Sequence, residues 1–304
     1  DPNNISIQTV GPDANIAGAP NFAPTTDTAI LTIATLLGAG GLGGNNVTIT
    51  TGTVLPNSEA GNITLLNDLD FNGIGAARTL QMTAANNIVL TGRIFDSAPG
   101  GESLALTLNA TAGTIQLNNA AGISTGGGGI TFNNAVTLGA AISLDSGGGN
   151  ILFNSTLAGG SQDLTIAAGT AAGTTTFTGA VSGMGDATGA AITINSTGLA
   201  RFSSTVGGAS GIVSSNAGGS TRFDGDVTLT NGDTASSFAN TVQLDGLAWS
   251  GFDGLTVTGA ATLSTAAVSL DSNGGAILFS STLAGGGQDL TIAAGTAAGT
   301  TTFT

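Results

Sequence analysis

Residues 143–178 and 269–304 are nearly the same sequence written twice, 126 positions apart. The first reads SLDSGGGNILFNSTLAGGSQDLTIAAGTAAGTTTFT and the second SLDSNGGAILFSSTLAGGGQDLTIAAGTAAGTTTFT. Only Gly147/Asn273, Asn150/Ala276, Asn154/Ser280 and Ser161/Gly287 differ. Self-similarity at a fixed period marks one supersecondary unit copied and stacked, because each unit buries its apolar face only against its neighbours. The chain therefore reads as an array.

A finer period lies inside the long one. Phe132, Phe153, Phe177, Phe202 and Phe223 follow each other at 21, 24, 25 and 21 residues, and Phe279 to Phe303 is 24 again. Most open a phrase F-x-x-x-[V/L], as in FNNAV at 132, FSSTV at 202, FDGDV at 223 and FANTV at 238. Short alternating runs accompany it, such as Ile130-Thr131-Phe132, Ile142-Ser143-Leu144, Leu164-Thr165-Ile166 and Leu290-Thr291-Ile292. Apolar residues two apart have the period of a strand with one buried face, and no window carries a helical stripe. Gly and Asn clusters such as Gly126–Gly129 and Gly147–Asn150 bend the chain between these runs. Two or three strands per 21 to 25 residues describe the coil of a parallel β-helix, with the Phe residues stacked as an interior ladder. Asn and Thr at turn positions are expected to form outer ladders. A sandwich or barrel of many short strands is the alternative, but hairpin arrays do not require Phe to recur at one rung length.

The regular pattern covers residues 61–304. Residues 1–60 read as a less regular segment or atypical coils, with five of the six prolines (Pro2, Pro12, Pro20, Pro24, Pro56) and no F-x-x-x-V phrase. Register is weakest between residues 223 and 279. There Phe238 follows Phe223 by only 15 residues, which calls for a loop or a shifted rung.

Composition limits the chemistry. The chain has no Cys, His, Tyr or Lys, four Arg and eighteen acidic residues, for a net charge of −14. Nucleic acid and anionic membranes require basic patches, so neither is an expected partner. The apolar run Ala29–Gly44 is too short and too rich in Gly and Thr to span a membrane, and reads as a buried strand pair. Without imidazole, thiol or amine, no Ser-His-Asp triad, thiolate nucleophile, Schiff base or nitrogen/sulfur metal site can form.

Carboxylates remain. Asp68-x-Asp70 and Asp224-x-Asp226 have the residue types of a glycoside-hydrolysing pair, with Arg222 two residues before Asp224. The bland reading is an outward acid at a turn and a surface ion pair worth little energetically. Asp68, Asp70 and Asn72, followed by Gly73, match the first half of a calcium loop, D-x-D-x-N-G; Thr79 stands where the bidentate acid belongs. The bland reading there is again a turn. Gly40–Asn45 faintly resembles a calcium-binding nonapeptide but occurs once. TTTFT at 174–178 and 300–304 suggests a threonine-rich ice-binding face, which would need Thr-x-Thr on rung after rung. The expectation is that the chain is not an enzyme and holds no catalytic or cofactor-binding residue, with calcium at Asp68, Asp70 and Asn72 as the one candidate metal site.

LQMTAANNIVLTGRI at 80–94, SLALTLNATAGTIQLNNAAGISTGGGGITFNNAV at 103–136 and SGGGNILFNSTLAGGSQDLTIAAG at 146–169 resemble the repeats of large secreted bacterial proteins of the filamentous haemagglutinin type. The resemblance covers roughly residues 60–304. It implies a right-handed parallel β-helix, two-partner secretion, an extracellular or cell-surface location, and a role in adhesion, biofilm or surface-layer construction. Asp1-Pro2-Asn3-Asn4 is a loose echo of that family's Asn-Pro-Asn secretion motif. Residue 304 falls in mid-phrase, at the equivalent of Thr178, so the last coil is expected to continue into further chain or to stack on another copy. The expected function is a structural fibre or rod of the cell surface that associates with itself and with surface glycans. The alternative is a β-helix that binds or cleaves polysaccharide.

Overall fold

The structure is a computed structural model that describes residues 3–52, 59–98, 100–167, 173–216, 218–230, 233–293 and 299–304. Asp1, Pro2 and Pro56 lie outside the described residues, as do 168–172 and 294–298 of the two long copies. The chain forms two compact units, Asp1–Ser155 and Thr156–Thr304. Each is a parallel β-solenoid.

In the second unit the chain visits three faces in turn. Face one holds Leu157–Gln162, Val181–Met184, Val206–Gly208, Val227–Leu229, Ala248–Ser250, Val268–Asp271 and Leu290–Ala293. Face two holds Leu164–Ile166, Ile192–Ile194, Ile212–Ser214, Ser236–Phe238, Gly254–Val257, Ala276–Phe279 and Thr301–Phe303. Face three holds Thr175–Phe177, Leu199–Phe202, Ser220–Phe223, Thr241–Leu244, Ala261–Leu263 and Leu283–Ala284. Residues in register on neighbouring coils are 19 to 28 positions apart, from Leu244↔Leu263 to Ile166↔Ile194. The alternation read from the sequence is the burial pattern: in Leu164–Ile166 the two apolar ends are buried and Thr165 faces out. The phrase F-x-x-x-[V/L] is a corner. Phe177, Phe202 and Phe223 end face-three strands, and Val181, Val206 and Val227 begin face-one strands after a three-residue turn.

The first unit has the same construction. Ile63–Leu65, Ile88–Leu90, Ile115–Leu117 and Val136–Leu138 form one face, Leu69–Asp70, Ile94–Phe95, Ile123–Ser124 and Ile142–Asp145 the next. The third carries Val47–Thr50, Arg78–Ala84, Leu104–Ala110, Ile130–Phe132 and Ile151–Phe153. The interior Phe ladder is present in both units. Phe132 and Phe153 stack at 4.7 Å, Phe177 and Phe202 at 4.7 Å, Phe202 and Phe223 at 5.0 Å.

One expectation is corrected. Ala29–Gly44 is not a strand pair: Ala29–Thr32 is a strand, and Ile33–Leu37 is a short α-helix. Thr32 caps it by accepting from the Thr35 amide, and Asp13 accepts from the Thr32 amide (2.6 Å) and the Thr35 hydroxyl (2.5 Å). Ile33 and Leu36, three apart, are its buried side. Residues 1–60, read as a less regular segment or atypical coils, hold a rung of the solenoid. Ile5–Gln8 lies between Ala29–Thr32 and Ile63–Leu65, parallel to both, so an early strand is inserted beneath a later one. Glu59 ties this junction by accepting from the Asn4 amide (2.8 Å) and the Thr28 amide (3.0 Å).

Candidate functional site

Face three of the second unit brings together Arg201, Arg222, Asp224 and Asp245. Strand period puts Arg201 and Arg222 outward, and parallel pairing puts them in register. Asp224 and Asp245 occupy the same corner on successive coils, where their amides donate to Phe202 and Phe223 carbonyls. The Asp224 carboxylate accepts from Arg201 Nε (2.6 Å) with one oxygen and from Arg222 Nε with the other. Asp245 accepts from Arg222 Nη2, from Ser264 Oγ (2.9 Å) and from Thr265 Oγ1. The contacts thus alternate in sign as Arg201–Asp224–Arg222–Asp245, and side-chain exposure falls from 42% at Arg201 to 6% at Asp245.

Partial burial works against the ionised form of Asp245. The hydroxyls of Thr265 and Ser264, then the charge of Arg222, outweigh it and hold the carboxyl below its ordinary value. Hydrogen bonding to Asp224, aided by the charges of both carboxylates, raises Arg222 against its own desolvation. Asp226 is separate, and accepts from the Ala248 amide of the next coil (2.8 Å). The sequence pair Asp224/Asp226 therefore divides its work, one carboxylate binding arginines and the other a backbone N–H.

In the first unit, Asp68 precedes the strand Leu69–Asp70. Its two oxygens accept from the amide and Nε of Arg93, each at 2.8 Å. Asp70 Oδ1 accepts from the Asn72 amide (3.1 Å) and the Ser97 amide (3.0 Å). Both carboxyls lie below their ordinary value: burial pushes them up, and these hydrogen bonds, with the Arg93 charge, push harder the other way. Thr79, the last position of the loop motif, is in Arg78–Ala84 on a different face. This geometry is a turn that ties one coil to the next. Among the described residues no cluster of three or more His, Cys, Asp or Glu is placed to hold a metal ion.

Gly40–Asn45 closes the end of the short helix. The Leu42 amide donates to Leu36, and Asn45 Nδ2 donates to Ala39 (3.1 Å) and Gly40 (3.3 Å) carbonyls. A Cβ at Gly41 would lie 2.1 Å from the Leu36 carbonyl oxygen, so glycine is required there by contact. TTTFT does not repeat across rungs, because outward Thr176 is in register with Arg201 and Thr302 with Leu278.

The expected outer ladders exist in the first unit. Asn154 Nδ2 donates to Asn133 Oδ1 (2.7 Å), Asn133 Nδ2 to Asn109 Oδ1, and Asn109 Nδ2 to Thr83 Oγ1 (3.1 Å). A second ladder escaped sequence reasoning. Asn4, Asn62 and Asn87 each accept, through Oδ1, the backbone N–H of the next rung at Asn62, Asn87 and Thr114 (2.7, 3.0 and 2.8 Å). The signal was available as the dipeptide Asn-Ile at 4–5, 62–63 and 87–88.

Two shallow surface depressions lack titratable side chains. One, of about 330 Å³, is lined by Ser161, Met184, Thr228, Thr230 and glycines of the second unit. The other, of about 420 Å³, is lined by Thr50, Thr51, Gly52, Thr83, Ala85 and Thr111 of the first. No helix of the described residues is long and apolar enough to cross a membrane. Comparison with protein-family models, curated proteins and solved structures finds no match to this chain.

Proposed function

We propose that this chain is a structural element of a secreted or cell-surface bacterial fibre, acting as an adhesive or matrix-forming rod of the filamentous haemagglutinin type. One observation carries the reading: five of its eighteen acidic side chains tie one coil to the next. Asp68, Asp70, Asp224, Asp226 and Asp245 all accept hydrogen bonds from a neighbouring coil. Charged groups placed on coil-to-coil contacts favour length and stiffness. The repeat phrasing supports the same reading. Surface glycans are the proposed external partners, and no resident cofactor is invoked.

The test is accessibility on the cells that make the protein. Protease added to intact cells is expected to release fragments of this chain while a cytosolic marker stays inside. Recovery of the chain only after lysis would sink the proposal. Incubation with a polysaccharide panel addresses the alternative: shortened products that disappear in Asp224→Ala would replace a structural role with a catalytic one.

A further inference from the structure

In the second unit the aromatic column changes face. Phe177, Phe202 and Phe223 stack on face three with rings within 6° of parallel, but the next positions of that column are Leu244 and Leu263. Rings resume on face two, where Ser214 is followed in register by Phe238, Val257, Phe279 and Phe303. At the crossing each face supplies one ring: Phe223 from face three, Phe238 from face two and Trp249 from face one. They meet edge to face, with centroids 5.8, 5.3 and 6.1 Å apart and planes at 78–89°. Trp249 is the only tryptophan in the chain and is 2% exposed.

We propose that Phe223, Phe238 and Trp249 form a phase-setting junction that turns everything downstream by one face, so that the repeated sequence presents the same outward residues in two directions. A close-packed core cannot lose a ring from one face and gain one on another without a side chain large enough to bridge the change, and edge-to-face contact is a favoured geometry for aromatic rings. Trp249 provides that volume. The 15-residue step from Phe223 to Phe238 is the sequence mark of the shift. Its consequence is visible in the copies: Leu157–Gln162, Leu164–Ile166 and Thr175–Phe177 lie on faces one, two and three, whereas their counterparts Leu283–Ala284, Leu290–Ala293 and Thr301–Phe303 lie on faces three, one and two. Five full coils and two further strands separate equivalents, so Thr165 and Thr291, the same residue of the repeat, point from different faces.

The inference goes beyond the fibre reading, and its test does not depend on where the protein resides. Because the chain has no Cys, introduced pairs report register alone. Val213→Cys with Ser237→Cys, partners on face two, is expected to form a disulfide on oxidation of the folded protein, as is the control pair Thr193→Cys with Val213→Cys. Arg222→Cys with Ser237→Cys, which would be neighbours if Phe238 continued the Phe223 column, is expected not to. A 222–237 disulfide overturns the junction, and so does absence of the 213–237 disulfide where the control forms. Trp249→Leu is expected to lower the 213–237 yield at least threefold and leave the control unchanged; equal yields remove Trp249 from the junction. If Trp249→Leu abolishes both pairs, Trp249→Phe should restore both, and failure to do so rules out the aromatic ring as the cause.

Discussion

The two copies of the long repeat agree in the turns at 145–149 and 271–275 and in the sign of φ at Ser161 and Gly287, and disagree in face and burial. Gly147 and Asn273 have φ of +60° and +49°, and each donates its amide to the aspartate two residues earlier, Asp145 or Asp271, at 2.8 Å. Ser146 and Ser272 both donate their hydroxyl to the glycine carbonyl three residues on. Ser161 and Gly287 both have positive φ, +61° and +80°. Yet Phe177 is 1% exposed and Phe303 is 56% exposed, and the strands that contain them lie on different faces. Turn geometry belongs to the local sequence, whereas face and burial belong to position in the stack.

That division is tested most sharply by one substitution made in each copy. Phe177→Ala removes a fully buried ring and is expected to cost about 3–5 kcal/mol. Phe303→Ala removes an exposed ring that stacks on Phe279 at 5.6 Å, and is expected to cost about 1 kcal/mol. Urea unfolding of the two variants gives the comparison. Equal losses would mean that burial is a property of the repeat and not of its place.

Between the copies lies the arginine–aspartate ladder, and Asp245→Ala is expected to cost roughly 2 kcal/mol by leaving Ser264, Thr265 and Arg222 without their acceptor. The cost should depend on pH with a defined sign. Because the folded carboxyl sits below its ordinary value, its contribution is fully present above the unfolded pKa of about 3.9 and is lost as pH falls through the lower folded value. Wild type and Asp245→Ala should therefore differ at pH 7 and converge in strong acid. A difference that persists there would assign the effect to packing.

The same division explains what could be read from the sequence. Alternation gave Leu164–Ile166 its strand and its buried face, and the corner phrase placed Phe177 and Val181 on either side of a turn, since both depend on residues a few positions apart. Face assignment is a running count over all preceding coils, so the 15-residue step at Phe238 showed that something shifted without showing which face received it. The helix Ile33–Leu37 was missed because it is five residues long and its cap is fixed by Asp13, 19 positions before Thr32. Asp224 was legible as a partner of Arg222, two residues away. Arg201 and Asp245, one coil to either side, required the register.

If turns are local, matched turn substitutions should cost the same in both copies. Asp145→Ala and Asp271→Ala each remove the acceptor for an amide two residues on, and each is expected to cost about 1 kcal/mol. A gap larger than about 0.5 kcal/mol would show that the stack reaches into the turns. The natural difference at Ser161/Gly287 sharpens the point from the other side. A left-handed backbone is strained for serine and free for glycine, so Ser161→Gly is expected to stabilise by about 0.5 kcal/mol and Gly287→Ser to destabilise by a similar amount.

The smallest expected effect concerns calcium, and it follows from the same turn. Asp70 ends its strand and accepts from the amide two residues on, as Asp145 and Asp271 do, and adds the Ser97 amide of the next coil. Asp68 has both oxygens on Arg93. A cation at Asp68, Asp70 and Asn72 would have to displace these donors, including a positive charge already in place. Millimolar calcium is therefore expected to move the Tm by no more than about 1 °C, since a ligand stabilises a fold only by binding its native state more tightly than the unfolded chain. Asp70→Ala should lower stability by about 1 kcal/mol to the same extent with calcium or with a chelator. A Tm that rises with calcium in the wild type and not in Asp70→Ala would instead make this one turn, unlike its counterparts at Asp145 and Asp271, a cation site.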